Sequence, residues 1–290
     1  MRSFAETPGT AGLSAAAVRR FRRHLYHFYA TQARSLPWRN TADPYRILVS
    51  EIMLQQTQVE RVALKYEPFL AAFPDLPTLA QAPLRDILAR WQGLGYNRRA
   101  LALQGIARRC VAEFAGQMPA AVETLRTLPG IGPATAGALA AFAFGQPVVF
   151  IETNIRRVFL HCFCAGRTGV RDQELLPLVA QTLDRQRPRP WYYALMDYGA
   201  WLKGATANPN RRSAHYQRQG AFADSDRQIR GLILQMLLRT PALTETELIR
   251  IIGKSPERTR RLIGQLCREG FLAQVGGRLA LAGETATGKE

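Results

Sequence analysis

The chain has 290 residues, enough for one large or two ordinary domains around a real core, and its 47% hydrophobic content fits a globular protein. No apolar run is long enough to span a membrane, and the four cysteines (Cys110, Cys162, Cys164, Cys267) form no Cys-x-x-Cys pair, so they read as small buried hydrophobes and not as a disulfide set or a metal site. The 39 Lys and Arg against 22 Asp and Glu, a formal net charge of +17, point to a polyanionic partner, foremost nucleic acid.

Residues 1–13 are small, polar and hold Gly and Pro, so they read as a disordered tail. They carry no signal-peptide pattern, and the expected location is the cytoplasm, at the nucleoid. Apolar spacing predicts a helix over Val18 to Gln32 and another over Tyr45 to Tyr66, opened by Pro44 and stopped by Pro68. Shorter helices follow at 77–81, 84–90 and 98–114. Val122 to Leu125 then leads into LPGIGPATAG, Leu128 to Gly137, with a helix over Ala134 to Phe144. Thr153 to Ala165, Glu174 to Gln186 and Trp191 to Leu202 complete the helical series. Residues 203–223 are polar, contain no acid and read as a basic loop that ends the first domain. Beyond it, Ile229 to Arg239, Glu245 to Ile252 and Pro256 to Glu269 are three short helices. Gly276-Gly277 then separates two apolar runs as a hairpin would. This order resembles a winged helix-turn-helix, with Pro256 to Glu269 as recognition helix carrying Arg258, Arg260 and Arg261 to DNA. A protein-contact module is the plainer alternative for this tail. Residues 284–290 read as a second disordered tail.

Two places carry chemistry. Gly130 and Gly132 flank Ile131, and a helix starts directly after them near Thr135. Glycines permit a tight turn with outward N–H groups, and a helix N-terminus adds its positive dipole end, so this corner suits a phosphate. Taken alone, Gly-x-Gly is more often an ordinary helix corner. Glu51 lies on a helix among Ile47, Leu48, Ile52 and Leu54. A carboxyl near apolar neighbours can stay protonated near neutrality, as a general acid must. Gln55 and Gln56 follow with amides able to read base edges. A single helical Glu is more commonly a solvated ion-pair partner, and by residue type alone that reading prevails.

The strings shift that balance. LPGIGPATAG resembles the helix-hairpin-helix of the endonuclease III and MutY superfamily of DNA glycosylases. SEIMLQQTQV, Ser50 to Val59, is similar almost letter for letter to the segment holding the catalytic Glu of MutY-type adenine glycosylases. The resemblance implies that Glu51 is the general acid and that Gln56 enters the duplex near the extruded nucleotide. Tyr96 of GLGY would wedge between bases of the opposite strand, replacing stacking lost on flipping. IETNIRRV, Ile151 to Val158, resembles the family segment with a catalytic Asp. Here the acid is Glu152, one methylene longer, expected to steady charge on the sugar and to activate water. Asn154 matches a site Asn, while Arg156 and Arg157 are expected on phosphate and Lys203, Arg211, Arg212 and Arg218 on DNA.

Three departures shape the expectation. The Schiff-base Lys of bifunctional relatives is replaced by Ala134, which implies hydrolysis without strand cleavage. Most relatives carry four cluster-binding cysteines after the segment matching Met196 to Gly204; none stands here, so no iron–sulfur cluster and no other cofactor is expected. A Nudix-like C-terminal domain is also replaced by the winged-helix-like tail. The expected protein is an all-α, two-lobed glycosylase. A six-helix domain would span 36–150, a second lobe 14–35 plus 151–223, and the winged-helix-like domain 224–283. It would be a monomer acting on double-stranded DNA with a mispaired or damaged base, adenine first. The alternatives are a thymine or uracil mismatch glycosylase, another lesion glycosylase, or a non-catalytic DNA binder.

Overall fold

The computed structural model describes residue 8, residues 12–217 and residues 220–284. Most of the expected N-terminal tail, residues 285–290 of the C-terminal one, and Arg218 of the basic loop lie outside the described residues. Among those described, the fold is helical: α1 Ala15–Gln32, α2 Pro44–Leu54, α3 Val59–Ala72, α4 Leu76–Gln81, α5 Leu84–Trp91, α6 Arg98–Glu113, α7 Val122–Leu125, α8 Pro133–Phe144, α9 Thr153–Phe163, α10 Asp172–Thr182, α11 Pro188–Ala205, α12 Asp226–Arg239, α13 Glu245–Ile252 and α14 Pro256–Arg268. Two antiparallel strands follow, β1 Leu272–Val275 and β2 Arg278–Leu281.

The single helix expected over 45–66 is two helices. α2 stops at Leu54, Gln56 adopts a left-handed φ of 55°, and α3 starts after Gln58. Pro68 lies inside α3, where it forgoes one backbone bond without ending the helix.

The chain forms two compact units. The first comprises the described residues of Met1–Glu51, Ala120–Thr127 and Ile131–Arg218; the second comprises Ile52–Pro119, Leu128–Gly130 and the described residues of Gln219–Glu290. This division differs from the lobes expected at 36–150 and 151–223, for a reason of packing. α8 buries Ala138 to Phe142 almost completely, and Phe142 stacks on Tyr193 of α11 at 4.6 Å and 15°. That contact ties 131–150 to the residues after 151.

In the first unit, α1 presents Ala17, Phe21, Leu25 and Phe28 to the core, with Ser14 accepting from the amide of Ala17 as its cap. Phe21 meets Phe159, Phe163 and Trp191 edge to face at 5.7, 4.9 and 5.9 Å. The segment after α11 is tied back onto α9. Asn210 donates to the carbonyl of Thr153 at 3.0 Å, and Arg212 donates to the carbonyls of Leu160 and Cys164 at 2.8 and 2.7 Å. Those carbonyls belong to the end of α9, where no intrahelical donor is available.

In the second unit, α3 to α6 bury Tyr66, Phe69, Leu79, Ile87, Trp91, Leu103 and Ile106. The C-terminal helices pack on α5 and α6. Arg85 donates to the last-turn carbonyls of Leu238 and Leu237 at 2.7 and 3.1 Å and pairs with Glu284. Glu269 takes both Arg98, at 2.8 Å to Nε, and Arg230. Gly276 and Gly277, φ 58° and 75°, make the tight turn between β1 and β2.

Candidate active site

The two expected carboxylates both fall in the first unit. α2 buries Ile47, Leu48, Val49 and Ile52, and half-buries Glu51 with them. Burial is the main cause that pushes the Glu51 carboxyl up to about 8; the nearby Glu152 raises it further, and Arg39 opposes both. At neutral pH Glu51 therefore holds its proton.

Glu152 is the N-cap of α9, with extended backbone at φ −122° and ψ −179°. Its Oε1 accepts from the amides of Asn154 and Ile155, each at 2.7 Å, and Oε2 accepts from the Asn154 side chain at 3.2 Å. Burial is the largest influence and raises this carboxyl overall; the two amides, then the Arg157 and Arg156 guanidinium groups, oppose that rise in part. Burial raises both acids, and they differ in what opposes it: Arg39 at Glu51, and two amides with two guanidinium groups at Glu152. The extra methylene of Glu, relative to the family Asp, does not stop the carboxylate from capping its own helix.

Asn154 is fixed from both sides. Its Oδ1 accepts from buried Arg157 at 2.7 Å, and Arg157 also donates to the carbonyl of Gly199 at 2.6 Å. A Cβ at Gly199 would stand 2.5 Å from the Asn154 carbonyl oxygen, so only glycine lets α11 come this close.

Residues that sequence reasoning missed complete this site. Arg39, in the 3-10 turn Pro37–Arg39, binds Asp197 of α11 bidentately at 2.7 and 2.7 Å. Its guanidinium stands 4.5 Å from the Tyr193 ring centroid. Arg34 joins through its amide at 3.0 Å and its Nε at 2.5 Å. The Tyr193 hydroxyl is pushed up to about 12, by burial first and by Glu51 second. The available signal was Asp197 itself, an acid inside the apolar run ALMDYGAW, which requires a buried cation. Ala134, half-buried in the first turn of α8, offers no amine.

In the second unit, Gln55 donates to the carbonyl of Gly130 at 3.2 Å, joining the glutamine loop to the first half of the hairpin. Gly130 has φ 74°, and a Cβ there would lie 2.9 Å from that of Ala102. Exposed Gln56 and half-buried Tyr96 hold left-handed φ values of 55° and 47° without being glycine, each a strain of about 1–3 kcal/mol. Arg99 holds both corners. Its NH1 donates to the carbonyls of Ile52, Met53 and Gln55 at 2.9, 2.7 and 2.6 Å. Its NH2 donates to the Thr57 hydroxyl and to the carbonyls of Leu94 and Gly95 at 2.9, 3.1 and 2.9 Å. Burial lowers this guanidinium to about 10.

The hairpin continues in the first unit with buried Ile131 and with Gly132, the N-cap of α8, which supplies no side-chain acceptor to that helix's first turn. Of the arginines expected on phosphate or DNA, Arg211 is exposed. Arg156 is bound bidentately by Asp172 at 2.7 and 2.6 Å, and Arg212 closes α9 as described. Arg258 pairs with Asp226 at 2.6 Å, Arg260 with Glu245 at 2.8 Å and Arg261 with Asp226 at 2.8 Å.

Acid, N-capped carboxylate and glycine hairpin define a class that comparison with known proteins makes definite. Residues 49–176 match the HhH-GPD superfamily of base excision DNA repair proteins. An adenine DNA glycosylase of Mycolicibacterium smegmatis is 34% identical, over 91% of this chain and 97% of that one. The human adenine DNA glycosylase is 39% identical over 64% of this chain but only 36% of its own. A solved thermostable thymine-DNA glycosylase superposes with a TM-score of 0.57 at 26% identity, over 63% of this chain and 86% of that one. An endonuclease III–DNA complex, at 19% identity and TM-score 0.51, shares the fold. The chain belongs to the helix-hairpin-helix superfamily of base excision DNA repair proteins. Within it, this is a MutY-type protein.

The iron–sulfur cluster of many relatives does not fit the residues present. Residues 203–222 contain no cysteine. Cys110, Cys162 and Cys164 are buried and Cys267 is half-buried, and none of the four lies in that segment. Among the described residues no group of three or more His, Cys, Asp or Glu could hold a metal.

Proposed function

We propose that the protein removes adenine from mispaired duplex DNA by hydrolysing its N-glycosidic bond, leaving an abasic site and an intact strand. The observation that carries this reading is the division of labour between two carboxyls, Glu51 held up to about 8 and Glu152 bound by three donors. The names of the mycobacterial and human relatives support adenine as the base.

In this mechanism Glu51 gives its proton to a ring nitrogen of the flipped base. The bond from the sugar C1′ to the base breaks, and its electron pair leaves with the neutral base. Glu152 offsets the positive charge on the sugar, with Asn154 and the α9 amides holding its oxygens in place. Water adds at C1′ and passes its proton to Glu152. One water is consumed, and free base and an abasic sugar are formed. Lyase chemistry needs an amine to attack C1′, and Ala134 stands where relatives carry Lys, which supports a monofunctional reaction. The hairpin, Gln55, Gln56 and Tyr96 serve to bind and open the duplex, the arginines of α14 extend the contact, and the protein acts as a monomer without a metal or cluster.

The solved thymine-DNA glycosylase supports one competing reading, excision of thymine opposite guanine. A panel of duplexes with adenine, thymine, uracil or damaged bases in defined mispairs, treated with alkali after incubation, separates the two. Adenine release from mispairs sustains the proposal, thymine release sustains the competitor, and tight binding with no release overturns both. Cleavage before alkali would overturn the monofunctional assignment.

A further inference from the structure

We propose that Arg227, from the C-terminal helices, is a positioning residue that holds Tyr96 in the direction from which it enters DNA. This rests on the reading of Tyr96 as the residue inserted into the duplex. Arg227 stands in the first turn of α12. Its NH1 donates to the Tyr96 hydroxyl at 2.6 Å, and its NH2 donates to the carbonyl of Gly220 at 2.8 Å. Its guanidinium carbon lies 5.5 Å from the Tyr96 ring centroid and 6.0 Å from that of Phe222.

The geometry fixes the tyrosine at both ends. At its base, Gly93, Gly95 and Tyr96 turn the chain with φ values of 89°, 68° and 47°. Trp91 binds the Gly95 carbonyl at 3.2 Å, and Arg99 binds the Gly95 carbonyl at 2.9 Å and that of Tyr96 at 3.4 Å. These bonds set where the Cα points, and the Arg99 guanidinium also faces the ring, 5.6 Å from its centroid. The Arg227 contact adds a hydrogen bond at the far end, on the hydroxyl, and so restricts how the ring can swing. An aromatic plate ordered before it meets DNA loses less conformational entropy on insertion.

Arg227 is delivered by a docked module. Arg85 holds the end of α12 and pairs with Glu284, while Glu269 after α14 bridges Arg98 and Arg230. Those anchors stand on α5 and α6, the two helices that flank Tyr96 in the chain. The C-terminal helices thereby act on base extrusion through a side chain that need not touch DNA.

The test is a double-mutant cycle of Arg227→Met and Tyr96→Phe, with Tyr96→Ala as a third variant. It reads the fluorescence of 2-aminopurine beside the target base, which rises on extrusion. Each single change of the cycle should lower the extruded fraction about tenfold, as expected for loss of a charge-assisted hydrogen bond. The double variant should match either single one. Arg227→Lys should recover part of the signal, and thermal unfolding should match the parent. Multiplying effects in the double variant, or no effect of Arg227→Met where Tyr96→Ala abolishes extrusion, would overturn the Arg227 role alone. Unchanged extrusion in Tyr96→Ala would overturn the reading of Tyr96 and this proposal with it. Should Arg227→Met fail to fold, Arg227→Gln replaces it in the cycle.

Discussion

In the first unit polar side chains meet one another: Glu152 meets Asn154, Asn154 meets Arg157, and Asp197 meets Arg34 and Arg39. In the second unit one guanidinium, that of Arg99, meets mostly main chain, gathering five carbonyls and one hydroxyl from two corners through its NH1 and NH2. The first arrangement sets proton affinities, because charged groups are placed against charged or dipolar groups in a partly buried space. The second sets backbone shape, because carbonyls at a helix end and in strained turns lack donors of their own. The two units thus hold different kinds of polar construction, one that tunes proton affinity and one that fixes backbone shape.

The sharpest break of this comparison is Glu51→Gln. It should lower single-turnover base release by about 10²–10⁴-fold and leave the Kd for duplex nearly unchanged, since a proton donor is lost and its shape is kept. In the parent, release should fall as pH rises through about 8, where Glu51 loses its proton. Stability follows the same group. The folded carboxyl titrates near 8 and the unfolded one near 4.5, so Glu51 makes its full contribution below the lower value and loses it as pH rises to the upper one. Glu51→Gln should therefore flatten the fall of Tm between those pH values. A variant that keeps full base release would show that Glu51 is not the acid.

Arg99→Met probes the other construction. It removes the donors from buried carbonyls and lets both left-handed corners relax, at about 3–5 kcal/mol of unfolding free energy. Urea titration should show the loss, and DNA affinity should fall by more than for any single exposed arginine. A variant of parental stability would mean that water replaces the guanidinium, and that the second unit does not depend on it.

Glu152→Asp tests whether the first unit needs this side-chain length. Aspartate is a good N-cap, so α9 should lose less than about 1 kcal/mol. The carboxylate moves back by one methylene from the sugar, and base release should change within about tenfold, whereas Glu152→Ala removes both cap and charge and should lose about 10²-fold or more. Equal rates for Asp and Ala would show that position, and not charge, governs the step.

How much of this was legible beforehand follows from the same contrast. That Glu51, Glu152 and Asn154 would come together was readable from the strings around them and their order along the chain. Most helices were readable from apolar spacing. The break after Leu54 was not, since Leu54, Gln55 and Gln56 favour helix and the turn is imposed from a distance by Arg99. Arg39 was hidden because its partner Asp197 lies far away in sequence, and Tyr193 because it meets Arg39 only in the fold. The packing of α8 on α11 was not legible, because α8 is apolar on all sides and such a helix gives no sign of which neighbour it serves.

The smallest expected effect concerns α14, where the arginines are paired and yet open to solvent. The side chains of Arg260 and Arg261 are 59% and 57% exposed beside Glu245 and Asp226. Exposed pairs of this kind stabilise a fold by about 0–1 kcal/mol, so they can exchange a carboxylate for a phosphate at little cost. If they do, each contact releases counterions, and each Arg→Ala change should reduce the slope of log K against log salt by about 0.9. The double variant should lose nearly twice that, with Tm and base release at saturating DNA unchanged. Glu245→Ala supplies the control, since freeing Arg260 should strengthen binding at low salt and leave the slope as it was. An unaltered slope in the double variant would confine this face to holding the C-terminal helices together, and leave Arg227 as the means by which they reach the DNA step.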